Sequence, residues 1–464
     1  MFKTIKRKVL TKIIYSASRK AGNKSLINIM SGLKRISRIE DKIKLDFIIK
    51  LMKDNHPMVG FIKKLTTQRD KKSITKFMEN LIFKGLLEGV KIRDAALKNG
   101  EGVPVSLLIS PSMRCNISCK GCYAHEYSKS DDLPFELLDK ILNEGRELGI
   151  AFYTILGGEP FIRKDLFDLF KKHKDLYFHV YTNGTLITEE VCKKIKKLGN
   201  ILLEISVEGF EKETDERRGK GIYAKVMKSM DLLNKYGIPF GCSVCVTNKN
   251  VDLVFSNEFI DFLIAKGALI VWYFLYMPVH AKPDLSLMPT PEQRKRMLDR
   301  GKDIRKNKEI FIVDFWNDAP FVGGCIAGKH YAHINSEGWV EPCIFTHFSD
   351  GNIKDKSLKE CFNSPYFKAL RSKQPYNDNL YLPCQWIDNP EVSRDMHKEF
   401  KLHATHKGAD DILKDEKVMK DIDKYAKGVS DVFSEEWKKR KVEIDVKAKE
   451  LAKRKADAKS KKKK

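Results

Sequence analysis

Val105-Ser106-Leu107-Leu108-Ile109-Ser110-Pro111-Ser112-Met113-Arg114-Cys115-Asn116-Ile117-Ser118-Cys119-Lys120-Gly121-Cys122-Tyr123 passes from an aliphatic run, through a proline, into three cysteines spaced C-x3-C-x2-C. Val105, Leu107, Leu108 and Ile109 predict a short buried strand, Pro111 ends it, and the cysteines fall on the loop that follows. Thiolates hold iron–sulfur clusters, and a [4Fe–4S] cube has four irons. Three thiolates at Cys115, Cys119 and Cys122 therefore leave one iron open to a small molecule that can chelate it and accept an electron. A C-x2-C pair also suits half of a zinc site, but the second Cys-x2-Cys that would complete one is absent.

Outward from this loop, apolar runs alternate with amphipathic stretches. The runs are Val105–Ile109, Phe152–Leu156, Phe178–Tyr181, Ile201–Val207, Phe240–Val246 and Leu269–Leu275. Leu133–Leu148, Asp165–Lys172, Glu189–Lys197, Tyr223–Tyr236 and Asn257–Lys266 read as the helices between them. This alternation predicts an α/β fold whose six strands form a partial (β/α)6, TIM-like barrel over residues 101–318. Residues 1–100 read as a helical region, with apolar stripes at Ile43, Phe47, Ile48, Leu51 and Met52 and at Phe77, Leu81, Ile82, Leu86 and Leu87. Residues 319–400 read as a small cysteine-containing domain. Residues 401–464 read as a charged, solvated helical tail ending in Lys461–Lys464. In parallel β/α folds the loops at the C-terminal ends of strands form the active site. The three cysteines follow the first strand and Gly157-Gly158-Glu159-Pro160 follows the second, where two glycines let the backbone approach a ligand closely.

Cys115, Cys119, Cys122 and Tyr123 resemble the signature loop of radical S-adenosylmethionine (radical SAM) enzymes, and Gly157–Pro160 resembles that family's second motif. The resemblance implies the same open (β/α)6 barrel and a [4Fe–4S] cluster that binds SAM. It implies that Gly157, Gly158, Glu159 and Pro160 contact the amino end of the SAM methionine. Thr182, Asn183 and Ser206, at the ends of the third and fourth strands, match the family's ribose and sulfonium contacts. Related enzymes often carry His-Asp-x-x-Arg-Gly where this chain has Thr214-Asp215-Glu216-Arg217-Arg218-Gly219, read here as opening a helix. Arg218 is the candidate partner of the methionine carboxylate, because a guanidinium binds carboxylate bidentately. Implied too is reductive cleavage of SAM to methionine and a 5′-deoxyadenosyl radical that abstracts a hydrogen atom. No residue is assigned to act on the substrate itself.

A second set, Cys325-x12-Gly338-x4-Cys343 with Cys384 beyond it, resembles the opening of the auxiliary-cluster domain called SPASM. The dense C-x2-C-x5-C-x3-C block is missing, so the segment looks like the shortened twitch form. The resemblance implies one auxiliary [4Fe–4S] cluster on Cys325, Cys343 and Cys384. Cys361 is a doubtful fourth ligand, since Leu358–Phe362 reads as an amphipathic helix in which a cysteine packs as a small hydrophobe. Cys192, Cys242 and Cys245 read the same way. His330, His333 and His347 read as surface residues or as supports behind the cysteines, with zinc in place of the cluster as the alternative they keep open.

Ten cysteines among 464 residues, without a secretory signal or a disulfide-like pattern, fit a reducing cytoplasm. Residues 1–76 hold 21 Lys and Arg against 5 Asp and Glu, and residues 452–464 hold 8 against 1, so nearly all of the net charge of +25 sits at the two ends. No apolar run is long enough to cross a bilayer. Phe2, Ile5, Val9, Leu10, Ile13 and Ile14 recur at helical spacing opposite Lys3, Lys6, Arg7, Lys8 and Lys12. That pattern suits either an anionic membrane surface at the inner face or a helix packed on the protein's own body. A nucleic-acid partner lacks support from any aromatic-rich basic groove or known module. The expected electron donor is a flavodoxin- or ferredoxin-type reductant. The layout also looks like that of radical SAM proteins linked to joining lipid tails into membrane-spanning lipids. Peptide or protein modification is the alternative, and a non-catalytic metal-bound protein docking on membrane or nucleic acid is the alternative of another class.

Overall fold

The computed structural model describes residues 39–54, 56–280 and 283–463, with isolated positions between 11 and 34; the stripe from Phe2 to Ile14 lies outside the described residues. Seven parallel strands form the body: β1 Ser106–Ile109, β2 Phe152–Ile155, β3 Tyr177–Thr182, β4 Ile201–Ser206, β5 Phe240–Val246, β6 Ile270–Leu275 and β7 Phe311–Asp314. The cysteine-rich region adds β8 Tyr331–Ile334, parallel to β1, and β9 Val340–Glu341, antiparallel to β8. The sheet order is β7-β6-β5-β4-β3-β2-β1-β8-β9. Six of these strands are those the apolar runs predict. The seventh, Phe-Ile-Val-Asp, ends in an acid and follows a strongly charged stretch, and β8 and β9 come from a segment whose cysteines dominate its reading.

Alternation along each strand sorts the side chains onto two faces. Tyr273 Oη donates to Val254 O at 2.7 Å, and the Phe178 and Phe170 rings lie 4.5 Å apart, so that face packs on the helices. Its members Leu107, Tyr153, Phe178, Leu203, Cys242 and Val271 are fully buried. The opposite face is concave. His179 on β3 meets Trp272 on β6 at 5.5 Å between ring centroids, and Tyr181 meets Phe274 at 6.0 Å. In a flat sheet two strands three places apart would stand about 14 Å from one another. Side chains from these strands touch because the sheet curls toward a barrel, and Phe315 after β7 meets Tyr331 on β8 at 6.0 Å to close the circuit.

The helices before β1 pack against the N-terminal ends of the strands. Asp70 N donates to Gly237 O (2.7 Å), Asn80 Nδ2 to Leu176 O (3.0 Å) and Arg93 Nη1 to Gly149 O (2.9 Å). They cover the end opposite the cysteine loop. Residues Phe77–Glu88 form a π-helical run, and Leu86 and Leu87, expected on an inward stripe, are exposed. The tail departs from its expectation as well. Glu416–Lys463 is one helix whose first part is packed, with Val429 and Phe433 buried against Leu298, Tyr381 and Leu382.

Arg294, on the helix Pro291–Asn307, pairs with Asp388 at 2.5 Å with both side chains buried, and Asp388 Oδ2 also accepts Cys384 N at 3.0 Å. Removing one member of a buried pair strands the other charge. Asp388→Ala is expected to cost about 3–5 kcal/mol, measured by denaturant unfolding of the anaerobically purified protein.

Candidate functional site

Beyond Ile109 the chain leaves the sheet, and residues 110–134 form an irregular loop at the C-terminal ends of the strands. Cys115 is exposed, and Cys119 and Cys122 are half-buried; all three are free thiols. Neighbouring strand ends brace the loop. Asn116 Nδ2 donates to Thr185 Oγ1 (2.8 Å), Asn183 Nδ2 donates to Asn116 Oδ1 (2.9 Å), and Lys120 N donates to Arg217 O (2.9 Å). Two cationic or amide donors approach the sulfurs: Asn183 Nδ2 lies 3.7 Å from Cys115 Sγ and Arg218 Nη1 lies 3.9 Å from Cys119 Sγ. Burial pushes the Cys119 thiol up, and Arg218 and Arg217 pull it back toward the thiolate.

Gly157 and Gly158 serve a close approach to another loop. A Cβ on Gly157 would sit 2.4 Å from Ser112 O, and one on Gly158 would sit 2.0 Å from Arg114 O. Space at these contacts lets Gly158 N reach Ser112 O (3.0 Å) and Glu159 N reach Arg114 O (2.8 Å). The β2 loop is thereby bonded to the cysteine loop. Tyr123 Oη reaches Gly157 O at 3.5 Å, and Pro160 begins a single buried turn.

Glu159 is turned inward. Its side chain is 1% exposed and its carboxylate accepts from Phe161 N (3.1 Å), Thr182 Oγ1 (2.8 Å) and Asn183 N (2.8 Å). Burial pushes its carboxyl up to about 7 against those three donors. Glu159 and Thr182 thus spend their polar atoms on each other, locking the end of β2 to the end of β3. Ser206 Oγ stands 3.3 Å from Ser243 Oγ on the concave face.

The helix around Arg218 begins earlier than expected. Thr214–Arg218 lie inside the helix Glu211–Arg218 and do not open one, and Arg218 ends it. Its guanidinium pairs with Glu208 Oε1 (2.6 Å), which also takes Arg217 Nη1 (2.7 Å). The Nε and Nη2 edge of Arg218 is turned to Glu208, and its Nη1 faces Cys119. Glu208 went unassigned in sequence, although Ser206-Val207-Glu208-Gly209 places an acid at a strand end. Arg217 and Asn116 gave no comparable signal.

Cys325, Cys343 and Cys384 line one mostly apolar cavity of about 190 Å³ with Phe315, Tyr331 and Trp386 among its walls. Burial pushes the Cys325 thiol up to about 12 and Cys343 to about 11. Cys361 is elsewhere, buried on the helix Leu358–Phe362 against Gly351. Among the described residues no three His, Cys, Asp or Glu side chains converge on a single ion. Three thiols spread around an apolar cavity form a donor set that suits a multi-iron cluster. His333 and His347 do not lie at the surface. Ser110 Oγ lies 2.7 Å from His333 Nε2, whose other nitrogen meets Glu341 Oε2, and Glu341 Oε1 accepts from Tyr127 Oη at 2.9 Å. The Tyr127 ring is flanked by His347 and His406. This buried network and the Tyr123–Phe345 ring contact at 6.0 Å join the two cysteine sites.

Residues 109–253 match the family model of the radical SAM superfamily, and residues 325–385 match that of SPASM, an iron–sulfur cluster-binding domain. Over 211 residues the chain is 33% identical to an uncharacterized protein of Methanocaldococcus jannaschii, covering 42% of this chain and 70% of that one. It is 25% identical over 312 residues to the AdoMet-dependent heme synthase of Oleidesulfovibrio alaskensis, covering 60% and 80%. Streptococcus suis SuiB, solved with bound S-adenosylmethionine, shares the fold with a TM-score of 0.54 at 20% identity, covering 69% of this chain and 84% of that one.

Two outcomes follow from the loop contacts. Gly158→Ala forces the Arg114 carbonyl away, so the first cluster should fail to load and iron should fall by about four atoms per chain, read by iron assay after anaerobic reconstitution. In Glu159→Gln the amide nitrogen cannot accept, so one of the three donors is left unpaired at a cost of about 1–3 kcal/mol. The expected readout is SAM affinity reduced tenfold or more in equilibrium dialysis, with iron content retained.

Proposed function

The chain belongs to the radical SAM superfamily and carries a SPASM-type cluster domain, and from that premise we propose that it abstracts hydrogen from an unactivated C–H of lipid acyl chains and joins two tails into a membrane-spanning lipid. When bound, the first cluster supplies the electron that splits SAM into methionine and a 5′-deoxyadenosyl radical. Cys115, Cys119 and Cys122 would hold that cluster, with Asn183 and Arg218 donating toward their sulfurs and favouring the charged thiolates. Glu159, Thr182 and the paired glycines fix the loops so that SAM would meet a preset surface. A low-potential donor of the flavodoxin or ferredoxin kind would supply the electron.

The observation that carries the lipid reading is the concave face below this site. Leu108, Tyr181, Trp272, Phe274 and Phe315 are half-buried there, with Trp272 and Phe274 nearly parallel at 6.2 Å. Glu204, the one acid on the concave positions of β1–β7, is fully buried and meets His179 Nε2 at 2.8 Å. Burial pushes His179 down to about 3, so it stays neutral at working pH. The aromatic side of this lumen suits methylenes, while Ser206, Ser243 and the His179–Glu204 pair make its other side polar.

The same reading has the protein work at the inner face of a membrane. Leu86, Leu87, Ile92 and Leu97 are exposed on the N-terminal helices beside Lys91 and Lys98, a pairing that suits an anionic lipid surface. Among the described residues no helix is long and apolar enough to cross a bilayer.

Anaerobic expression in a host that lacks such lipids should yield species with two acyl chains joined less two hydrogens, seen by mass spectrometry of hydrolysed extracts. Cys115→Ala should abolish them. Unchanged lipids from iron-replete protein that still forms 5′-deoxyadenosine would contradict the lipid reading and favour a peptide substrate. Flotation should carry the protein with phosphatidylglycerol vesicles more than with phosphatidylcholine vesicles, and Leu86→Asp with Leu87→Asp should reduce it severalfold.

A further inference from the structure

The helix Ile39–Lys53 sets Lys42, Asp46, Ile49 and Lys53 at intervals of four, three and four residues, so that they share one face. Ser31 and Lys34 complete the walls of a cleft of about 420 Å³. It lies on the N-terminal helices, outside residues 109–253 and 325–385 that match the two family models. Ile49 is buried there, and Lys42 and Asp46 are half-buried. Lys34 Nζ pairs with Asp46 Oδ1 at 2.5 Å, and Asp46 is the one acid among the lining residues. That pair is neutral as a unit, so the cleft is left with the ammonium charges of Lys42 and Lys53 and the hydroxyl of Ser31. The next helix, Pro57–Gln68, begins three residues after Asp54 and its neighbours close the turn, and its Met58, Val59, Phe61 and Ile62 are only half-buried.

We propose that this cleft binds the phosphate of an anionic lipid headgroup, and that it takes a phosphomonoester, as in phosphatidic acid, in preference to a phosphodiester. Charge sets the preference. A phosphomonoester carries about −1.5 to −2 near pH 7, which two lysines balance, whereas a phosphodiester carries a single charge and leaves one ammonium unmatched. Each lysine brings a compact charge with three rotatable donors to the phosphate oxygens, and Ser31 adds a hydroxyl donor. The half-buried apolar side chains of Pro57–Gln68 give acyl chains a surface to follow, which free phosphate cannot use. The inference rests on the lipid-surface reading of the N-terminal helices and not on the joining of tails, so its test measures binding without the reaction.

Flotation of the full-length, iron-replete protein is compared on two kinds of phosphatidylcholine vesicle, doped to equal surface charge with phosphatidic acid or with phosphatidylglycerol. Wild type should float severalfold better with phosphatidic acid. Lys42→Ala with Lys53→Ala should lose that preference, with circular dichroism and iron content unchanged. Lys193→Ala with Lys196→Ala, an equal loss of charge at exposed positions of the helix Glu189–Leu198, should keep it. Equal flotation of wild type with both vesicles, or an equal loss in both variants, would mean diffuse charge attraction and overturn the inference. The source of the phosphate is read by calorimetric titration of wild type with dihexanoyl phosphatidic acid, below its micelle concentration, and with inorganic phosphate. The lipid should bind about tenfold tighter or more. Equal affinities would assign the cleft to free phosphate and overturn the lipid headgroup as its ligand.

Discussion

A single buried carboxylate sets the geometry of the open end of this barrel. Glu159 gathers donors from Phe161, Thr182 and Asn183, so the ends of β2 and β3 are held at one spacing. The glycines before it press against the Ser112 and Arg114 carbonyls, so the cysteine loop after β1 is held at the same place. Three strand ends that would otherwise move separately become one surface. Asn183, whose backbone N–H bonds Glu159 and whose side-chain amide bonds Asn116 of the cysteine loop, transmits that lock to Cys115. A site that must bind a cluster and a nucleotide together needs this kind of prior order, because ordering it at the moment of binding would cost affinity.

The second domain is joined to the first by buried polar and aromatic contacts. Ser110, one residue past β1, begins a chain that runs through His333 and Glu341 to Tyr127, which lies five residues after Cys122. A fully paired polar network of this sort specifies one arrangement, because any displacement leaves a buried donor or acceptor unsatisfied. Phe345, two residues from Cys343, meets Tyr123, the neighbour of Cys122. The two cysteine sites are therefore parts of one rigid wall around the lumen, and the Arg294–Asp388 pair fixes the far side of that wall at Cys384.

Much of this was legible in the chain. Parallel strands buried on their outer face write themselves as apolar runs, and six were readable from Val105–Ile109 through Leu269–Leu275. The cysteine triplet was readable because its spacing and its position after a strand are local facts. What sequence could not convey depends on partners far away. That Glu159 takes donors from Thr182 Oγ1 and the Asn183 backbone N–H shows only in the folded chain. The pairing of Arg218 with Glu208, ten residues earlier, is likewise visible only in the folded chain. Cys361 reads in sequence as a small hydrophobe on its helix, and it is buried there, while Cys384 lines the apolar cavity. Leu86 and Leu87 belong to an apolar stripe by α-helical spacing, but the π-helical run changes the angle between successive residues and turns them outward.

The central claim is that Cys115, Cys119 and Cys122 hold a cluster with one iron free to bind SAM. Its most direct measurement is the electron paramagnetic resonance spectrum of the reduced protein, prepared as Cys325→Ala/Cys343→Ala/Cys384→Ala so that one cluster remains, before and after addition of SAM. The account predicts a changed spectrum with SAM, broadened further when the methionine carboxylate carries ¹⁷O. An iron-loaded sample whose spectrum is indifferent to SAM would contradict it.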